Sequence, residues 1–159
     1  TAPTGHMLRL LEMPQLASQW FRNLFHLLLK YQGGAALAKT TRLLLETAKG
    51  VKKLRVLLSD PQRSEFVAIT IAEAMGVSET ERLLTALGEL QVPCHHLVVN
   101  MVIPPTSCAF CRSKRAEQQG YVTRLRQQYA NYAVSEAPLF PHDVRGLEGL
   151  RAMGEALFG

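Results

Sequence analysis

Residues Val98–Cys111 read VVNMVIPPTSCAFC, and how this stretch is taken decides the fold. Val98, Val99, Val102 and Ile103 form a run with little polar surface, as a strand buried in a parallel sheet requires. Pro104-Pro105 stops it, because proline has no N–H to give to a ladder. Two features of the stretch are chemical. Asn100 is a polar side chain on an apolar strand, and Cys108-Ala109-Phe110-Cys111 is a C-x-x-C at the strand's exit, with a basic, helix-like segment behind it.

On either side the sequence alternates strand and helix. Phe66–Ala72 (FVAITIA) is rich in β-branched and apolar residues and predicts a strand buried on both faces. Ser78-Glu79-Thr80-Glu81 has the capping-box pattern and predicts the start of a helix with Leu83, Leu84, Leu87 and Leu90 inward. After Pro93, His96–Ile103 is the strand quoted above. Ala116–Tyr132 predicts a second helix, with Tyr121, Leu125 and Tyr129 on one face, and Tyr132–Ala137 a short strand. Pro138–Gly146 is a loop, and Leu147–Phe158 a last helix with Leu147, Leu150, Leu157 and Phe158 inward. Strand–helix repeats of this kind imply parallel pairing through crossovers. Three strands make a thin sheet, and half a sheet is missing.

Before Asp60-Pro61 the texture is helical. Thr1–His6 reads as a loop, Met7–Met13 as a short helix ended by Pro14, and Gln15–Tyr31 as a helix with a wide apolar face. Gly33-Gly34 breaks the pattern, and Ala35–Leu58 resumes it. This lobe carries surplus apolar surface. Either both helices bury it against the rest of the fold, or it lines a groove for an apolar ligand or peptide.

With 159 residues, 47% of them hydrophobic, the chain can build one ordinary core. No stretch approaches the roughly 18–20 unbroken apolar residues of a membrane span, and no signal peptide opens it. Three cysteines, two of them in a C-x-x-C, suit a reducing cytosol. The net charge of +5 is spread along the chain. A small cluster, Arg112, Lys114 and Arg115, reads as a solvated face rather than a nucleic-acid site. The chain opens on Thr1, which fits either a trimmed methionine or the C-terminal piece of something longer.

Cys108 and Cys111 can chelate a metal or exchange as a dithiol, with the basic residues that follow lowering a thiol pKa; two unrelated free thiols are the third possibility. A structural zinc needs four ligands. Cys94, His95 and His96 could complete the set, or a second copy of the chain could do so across a twofold axis. Asn100, Glu73 and the loop Pro138–Arg145 leave successive parallel strands at their carboxyl ends, where such sheets bind small molecules or nucleotides. Gly33-Gly34-Ala35-Ala36-Leu37-Ala38-Lys39-Thr40 nearly matches G-x-x-x-x-G-K-[ST]. Ala38 replaces its last glycine and a helical pattern precedes it, so the chain contains no convincing phosphate loop.

Taken together, these residues resemble the C-terminal half of the ArsA-type ATPase family, which holds arsenite-pump ATPases and the cytosolic targeting factor for tail-anchored membrane proteins. TAPTGHMLRL (Thr1–Leu10) is similar to the family's second switch segment, Asp60–Leu84 to the end of its helical subdomain with the following strand-turn-helix, and Val98-Val99-Asn100, Cys108-x-x-Cys111 and Pro138–Leu147 to later motifs in the same order. The resemblance implies a P-loop NTPase fold of the deviant Walker A class: an α/β parallel sheet, present here as its C-terminal portion, with an α-helical subdomain. Residues 1–6 would be the switch segment, 7–58 the helical subdomain and 59–159 the C-terminal half of the nucleotide-binding domain.

By motif, Asn100 and the loop Pro138, Leu139, Phe140, Pro141, His142, Asp143, Val144 and Arg145 would hold the adenine and ribose end of ATP, with Glu73 near nucleotide at the dimer face. Thr1, Pro3, Thr4, Gly5 and His6 would sense the γ-phosphate, and Cys108 with Cys111 would share Zn²⁺ across a homodimer. The implied activity is ATP hydrolysis with Mg²⁺ in the full-length protein. This chain holds no catalytic residue of its own and is expected to be inactive alone. The C-x-x-C and the apolar excess of Gln15–Leu58 lean toward the tail-anchored-targeting branch, cytosolic and not itself transmembrane, with an apolar client helix as partner. The alternatives are an arsenite-efflux ATPase subunit with a membrane-pump partner, and a non-catalytic module that binds apolar peptides.

Overall fold

The computed structural model describes residues 4–30 and 35–158. The chain divides into two compact units. One contains helices α1 (Thr4–Lys30) and α2 (Ala35–Ser59) with the segment Ala86–Pro93, and the other contains Phe66–Thr85 and the residues from Cys94 onward.

In the first unit α1 and α2 pack against each other. The proline that reads as a stop lies inside α1. An internal proline loses a backbone hydrogen bond and crowds the preceding turn, at a cost of roughly 3 kcal/mol. Pro14 is buried and lines a small recess with Leu11, Leu58 and Val92, so packing of its ring offsets the loss. Ser18 Oγ donates to the Pro14 carbonyl at 2.7 Å. Thr4, Gly5 and His6 are the first residues of α1 rather than loop, whereas Thr1, Pro3 and the Gly33-Gly34 break lie outside the described residues. The two helices do not bury all their apolar side chains: Trp20 is 77% exposed, Leu10 71% and Leu43 64%.

The second unit is a three-stranded sheet in the order β1 (Val67–Ile71), β2 (His96–Val102), β3 (Ala133–Pro138), every pair parallel. The α/β reading with a parallel sheet is therefore correct. Helices α3 (Ala74–Glu89) and α4 (Ala109–Gln128) make the crossovers, and α5 (Gly146–Phe158) follows β3 and packs on it. Ala68, Leu97, Val99, Val102, Val122, Leu125 and Ala137 are buried.

Several boundaries and faces differ from the sequence reading. β1 is buried on one face only, with Ala68 and Thr70 inward while Ile69 is 65% exposed; among the described residues its second face has no cover. Leu147, Leu150 and Phe158 on α5 are 84%, 61% and 88% exposed instead of inward, and no described residue of α5 is buried. Helix α4 starts at Ala109, seven residues before the predicted Ala116, and so takes in Cys111.

The S-x-x-E does not cap α3, which starts four residues earlier, at Ala74. The Glu73 carbonyl accepts the Val77 N–H at 2.9 Å, and the Thr80 and Thr70 hydroxyls both donate to the Gly76 carbonyl, at 2.7 and 3.1 Å. This first turn is pressed against the end of β1. A Cβ at Gly76 would stand 2.4 Å from the Ile71 carbonyl oxygen, which as backbone cannot swing aside. Gly76→Ala should therefore destabilise the protein by about 1–3 kcal/mol through overpacking, despite alanine's helix-propensity advantage of roughly 1 kcal/mol. Urea unfolding measures it, and an unchanged or raised midpoint would contradict the close approach.

Candidate functional site at the carboxyl edge of the sheet

Parallel pairing brings the exits of β1, β2 and β3 to one edge. At β2 the exit is irregular. Val99 pairs with Glu136 and Val102 with Pro138, so β2 advances three residues while β3 advances two. The extra residue is a β-bulge. It changes the parity of burial, since Leu97 and Val99 are inward and the next inward residue is Val102, not Met101. Met101 takes the left-handed conformation, φ +59°, which costs a non-glycine residue roughly 1–2 kcal/mol. Asn100 Oδ1 accepts the Met101 N–H at 2.9 Å, leaving the Nδ2 donors and a second Oδ1 lone pair for other partners.

Helix α4 holds this exit. Gln118 accepts the Ile103 N–H at 2.8 Å and donates to the Met101 carbonyl at 3.0 Å. Arg115, one turn earlier, donates to the Ile103 carbonyl. Arg115 is thus a half-buried clamp rather than part of a solvated face. The same helix fastens β3, with Gln119 and Arg126 on the two carboxylate oxygens of Glu136 at 3.3 and 2.8 Å. Sequence reading passed over Gln118 entirely. The R-x-x-Q spacing does place Arg115 and Gln118 on one helical face, but a bulge that needs them leaves no mark in the sequence.

The other two exits complete the rim. The Leu139 N–H donates to the Val102 carbonyl at 2.8 Å, which ties the start of the Pro138–Arg145 loop to β2. Phe140 and Val144 are half-buried, while Pro141, His142, Asp143 and Arg145 are exposed. Asp143 and Arg145 pair with each other at 2.7 Å, an exposed contact of little stability value. Gly146, with φ +69°, turns the loop into α5. At β1, Glu73 is exposed. Lys114 on α4 is held above its ordinary pKa by the Glu117 carboxylate 3.0 Å away and, more weakly, by the field of Glu73.

The C-x-x-C opens α4. Cys108 is the N-cap, with extended backbone (φ −63°, ψ 123°) and no formed side-chain cap bond, and Cys111 lies in the first turn. The Cys108 thiol is exposed and Cys111 half-exposed. The Cys111 backbone N–H, then its thiol, then the Phe110 N–H hold the Cys108 pKa below an ordinary thiol's. Cys111 is pushed up by donating its thiol proton to Cys108, with desolvation and the Cys108 charge adding to it. The cause is therefore the helix start and not the basic side chains that follow. Among the described residues no three His, Cys, Asp or Glu side chains gather as a metal site. Cys94, His95 and His96 stand at the amino-terminal end of β2, and do not complete a set with Cys108 and Cys111. No described helix is long and apolar enough to cross a membrane.

Comparison with known proteins agrees with the resemblance noted above. The model of the family described as anion-transporting ATPases matches residues 1–159. The chain is 30% identical over 170 residues to the ATPase ASNA1 homolog of Dictyostelium discoideum, covering 99% of this chain and 52% of that protein. It is 32% identical over 165 residues to ATPase asna-1 of Caenorhabditis elegans, covering 92% and 48%, and 32% identical over 173 residues to ATPase GET3B of Arabidopsis thaliana, covering 99% and 42%. The chain spans about half the length of these curated relatives.

The split between the two thiols has a direct readout. In metal-stripped protein, iodoacetamide should label Cys108 before Cys111, and the pH at half-maximal labelling should be lower for Cys108, whose thiolate persists further into acid. A shared midpoint or the reverse order, read by peptide mass spectrometry, would contradict the assignment.

Proposed function

The chain belongs to the anion-transporting ATPase family, and we propose that it is the base-binding, C-terminal part of a nucleotide-switched homodimeric ATPase in the tail-anchored-targeting branch of that family. The observation that carries this reading is the rim, where a strained bulge presents Asn100 between the exits of two neighbouring parallel strands. Ligands of open α/β sheets bind at such an edge, and backbone strain gathers at sites of this kind.

Asn100 would meet the adenine through its carboxamide, which can donate and accept on one base edge. The Pro138–Arg145 loop would close over base and ribose, with Phe140 and Val144 beneath and His142, Asp143 and Arg145 toward solvent. Glu73 would face nucleotide at the dimer boundary, and the segment Thr1–His6 would respond to the γ-phosphate. The sequence has no full G-x-x-x-x-G-K-[ST], and helix α1 precedes the near-match where a phosphate loop needs a strand. Apart from that switch segment, contacts to phosphate and Mg²⁺ would fall to other parts of the whole protein. Mg²⁺, when bound, neutralises the developing phosphate charge.

Two thiols at one helix start, one exposed and one half-exposed, fit half of a tetrathiolate zinc site, and a second copy would supply the other half. Such a zinc would be a structural cross-link. The apolar side chains left open on α1 and α2, Trp20, Leu24 and Leu27 among them, would receive an apolar client helix in the cytosol.

Two experiments on the full-length protein test this reading. Asn100→Ala should weaken ADP binding about tenfold or more, the value of a good base contact, in a variant that still folds, as circular dichroism would show. Unchanged affinity would instead favour an interaction module without nucleotide. Cys108→Ser with Cys111→Ser should release metal and dissociate the dimer together, and a double variant that stays dimeric would refute the bridge. Hydrolysis stimulated by As(III) would move the assignment to the arsenite branch.

A further inference from the structure

Gln118 has no place in the motifs of the rim, yet it is the side chain on which the geometry of the rim rests. Its carboxamide spans Met101 and Ile103, accepting from one backbone N–H and donating to one carbonyl, while Arg115 takes the Ile103 carbonyl. These backbone groups lie at and just beyond the bulge, where the register with β3 is broken. The two Ile103 groups are part-buried, and leaving such groups without partners costs up to roughly 1–3 kcal/mol each, whereas the Met101 carbonyl stands where water can reach it. The bulge in turn sets Asn100, because the Asn100 Oδ1 is fixed by the N–H of the left-handed Met101. Released from these holds, the chain after Asn100 could turn about the Asn100 ψ, carrying the Met101 N–H away from Oδ1 and with it the contact that orients the amide.

We propose that Gln118, supported by Arg115, is a positioning residue for nucleotide recognition: by holding the bulge it fixes the direction in which Asn100 presents its amide to the base. The inference rests on the nucleotide reading of the rim. It also gives α4 two tasks, since the helix that starts with the cysteine pair holds the base-reading strand seven residues further on.

The test measures affinities for ADP and GDP by calorimetry on the full-length protein and its Gln118→Met, Asn100→Ala and double variants. Methionine keeps the bulk of glutamine without its hydrogen bonds, so packing is separated from positioning. Gln118→Met should reduce the preference for ADP over GDP about tenfold, as Asn100→Ala does, and the double variant should lose no more than Asn100→Ala alone, the non-additivity of two residues acting through one contact. A peg that merely stabilises the fold would lower the melting temperature and leave the ADP-to-GDP ratio untouched; that outcome, or additive losses, would overturn the inference while the rim stayed a nucleotide site. If Asn100→Ala itself changes neither affinity, the nucleotide reading fails and takes this inference with it. Should Gln118→Met not fold, Gln118→Glu keeps an acceptor for Ile103, loses the donor to Met101, and is scored in the same way.

Discussion

Between Val99 and Val102 the second strand takes three steps to its neighbour's two, and the carboxyl edge of the sheet inherits that mismatch. A regular strand would have carried the inward face from Val99 to Met101, turning Val102 out to solvent and leaving Asn100 as one more alternating position. The extra residue instead keeps Val102 in the core and takes Asn100 and Met101 out of register with β3, while Asn100 still pairs with Ile71 of β1. A backbone displaced in this way has to find new partners. Gln118, Arg115 and the side chain of Asn100 are those partners.

A second close approach fixes the neighbouring exit. The first turn of α3 sits so near the end of β1 that only a residue without a side chain fits at Gly76, and two threonine hydroxyls converge on its carbonyl. The chain leaving β1 turns through Glu73 within two residues, its N–H bonded back to Ile71 at 2.9 Å. Both exits are thus held by short contacts to helices rather than by long loops, which suits a rim whose groups must meet a ligand in fixed positions.

The strands were legible in the sequence because β-branched and apolar runs such as VAITI and HLVVNMV have few other uses in a chain of this composition. Helix starts were less so. The S-x-x-E of α3 is a genuine local pattern, but the helix begins before it, where packing against β1 outweighs capping propensity. Pro14 stays within α1 for a similar reason: its burial is tertiary, whereas its breaking tendency is local. At the site, Asn100 and the cysteine pair stood out as a polar group and a spaced motif in apolar or loop surroundings. Gln118 did not, because a glutamine on a polar helix looks like any surface residue until the strand it reaches is known to be irregular.

Among the described residues strand β1 pairs on one side only, and its five residues VAITI contain no charge and no proline. An apolar edge with unmet ladder groups and no gatekeeping charge is a template for the addition of further strands. For this chain handled by itself, concentration rather than temperature is then the variable that governs whether it stays dispersed. A single lysine on the open face at Ile69, 65% exposed, is the economical way to keep it so.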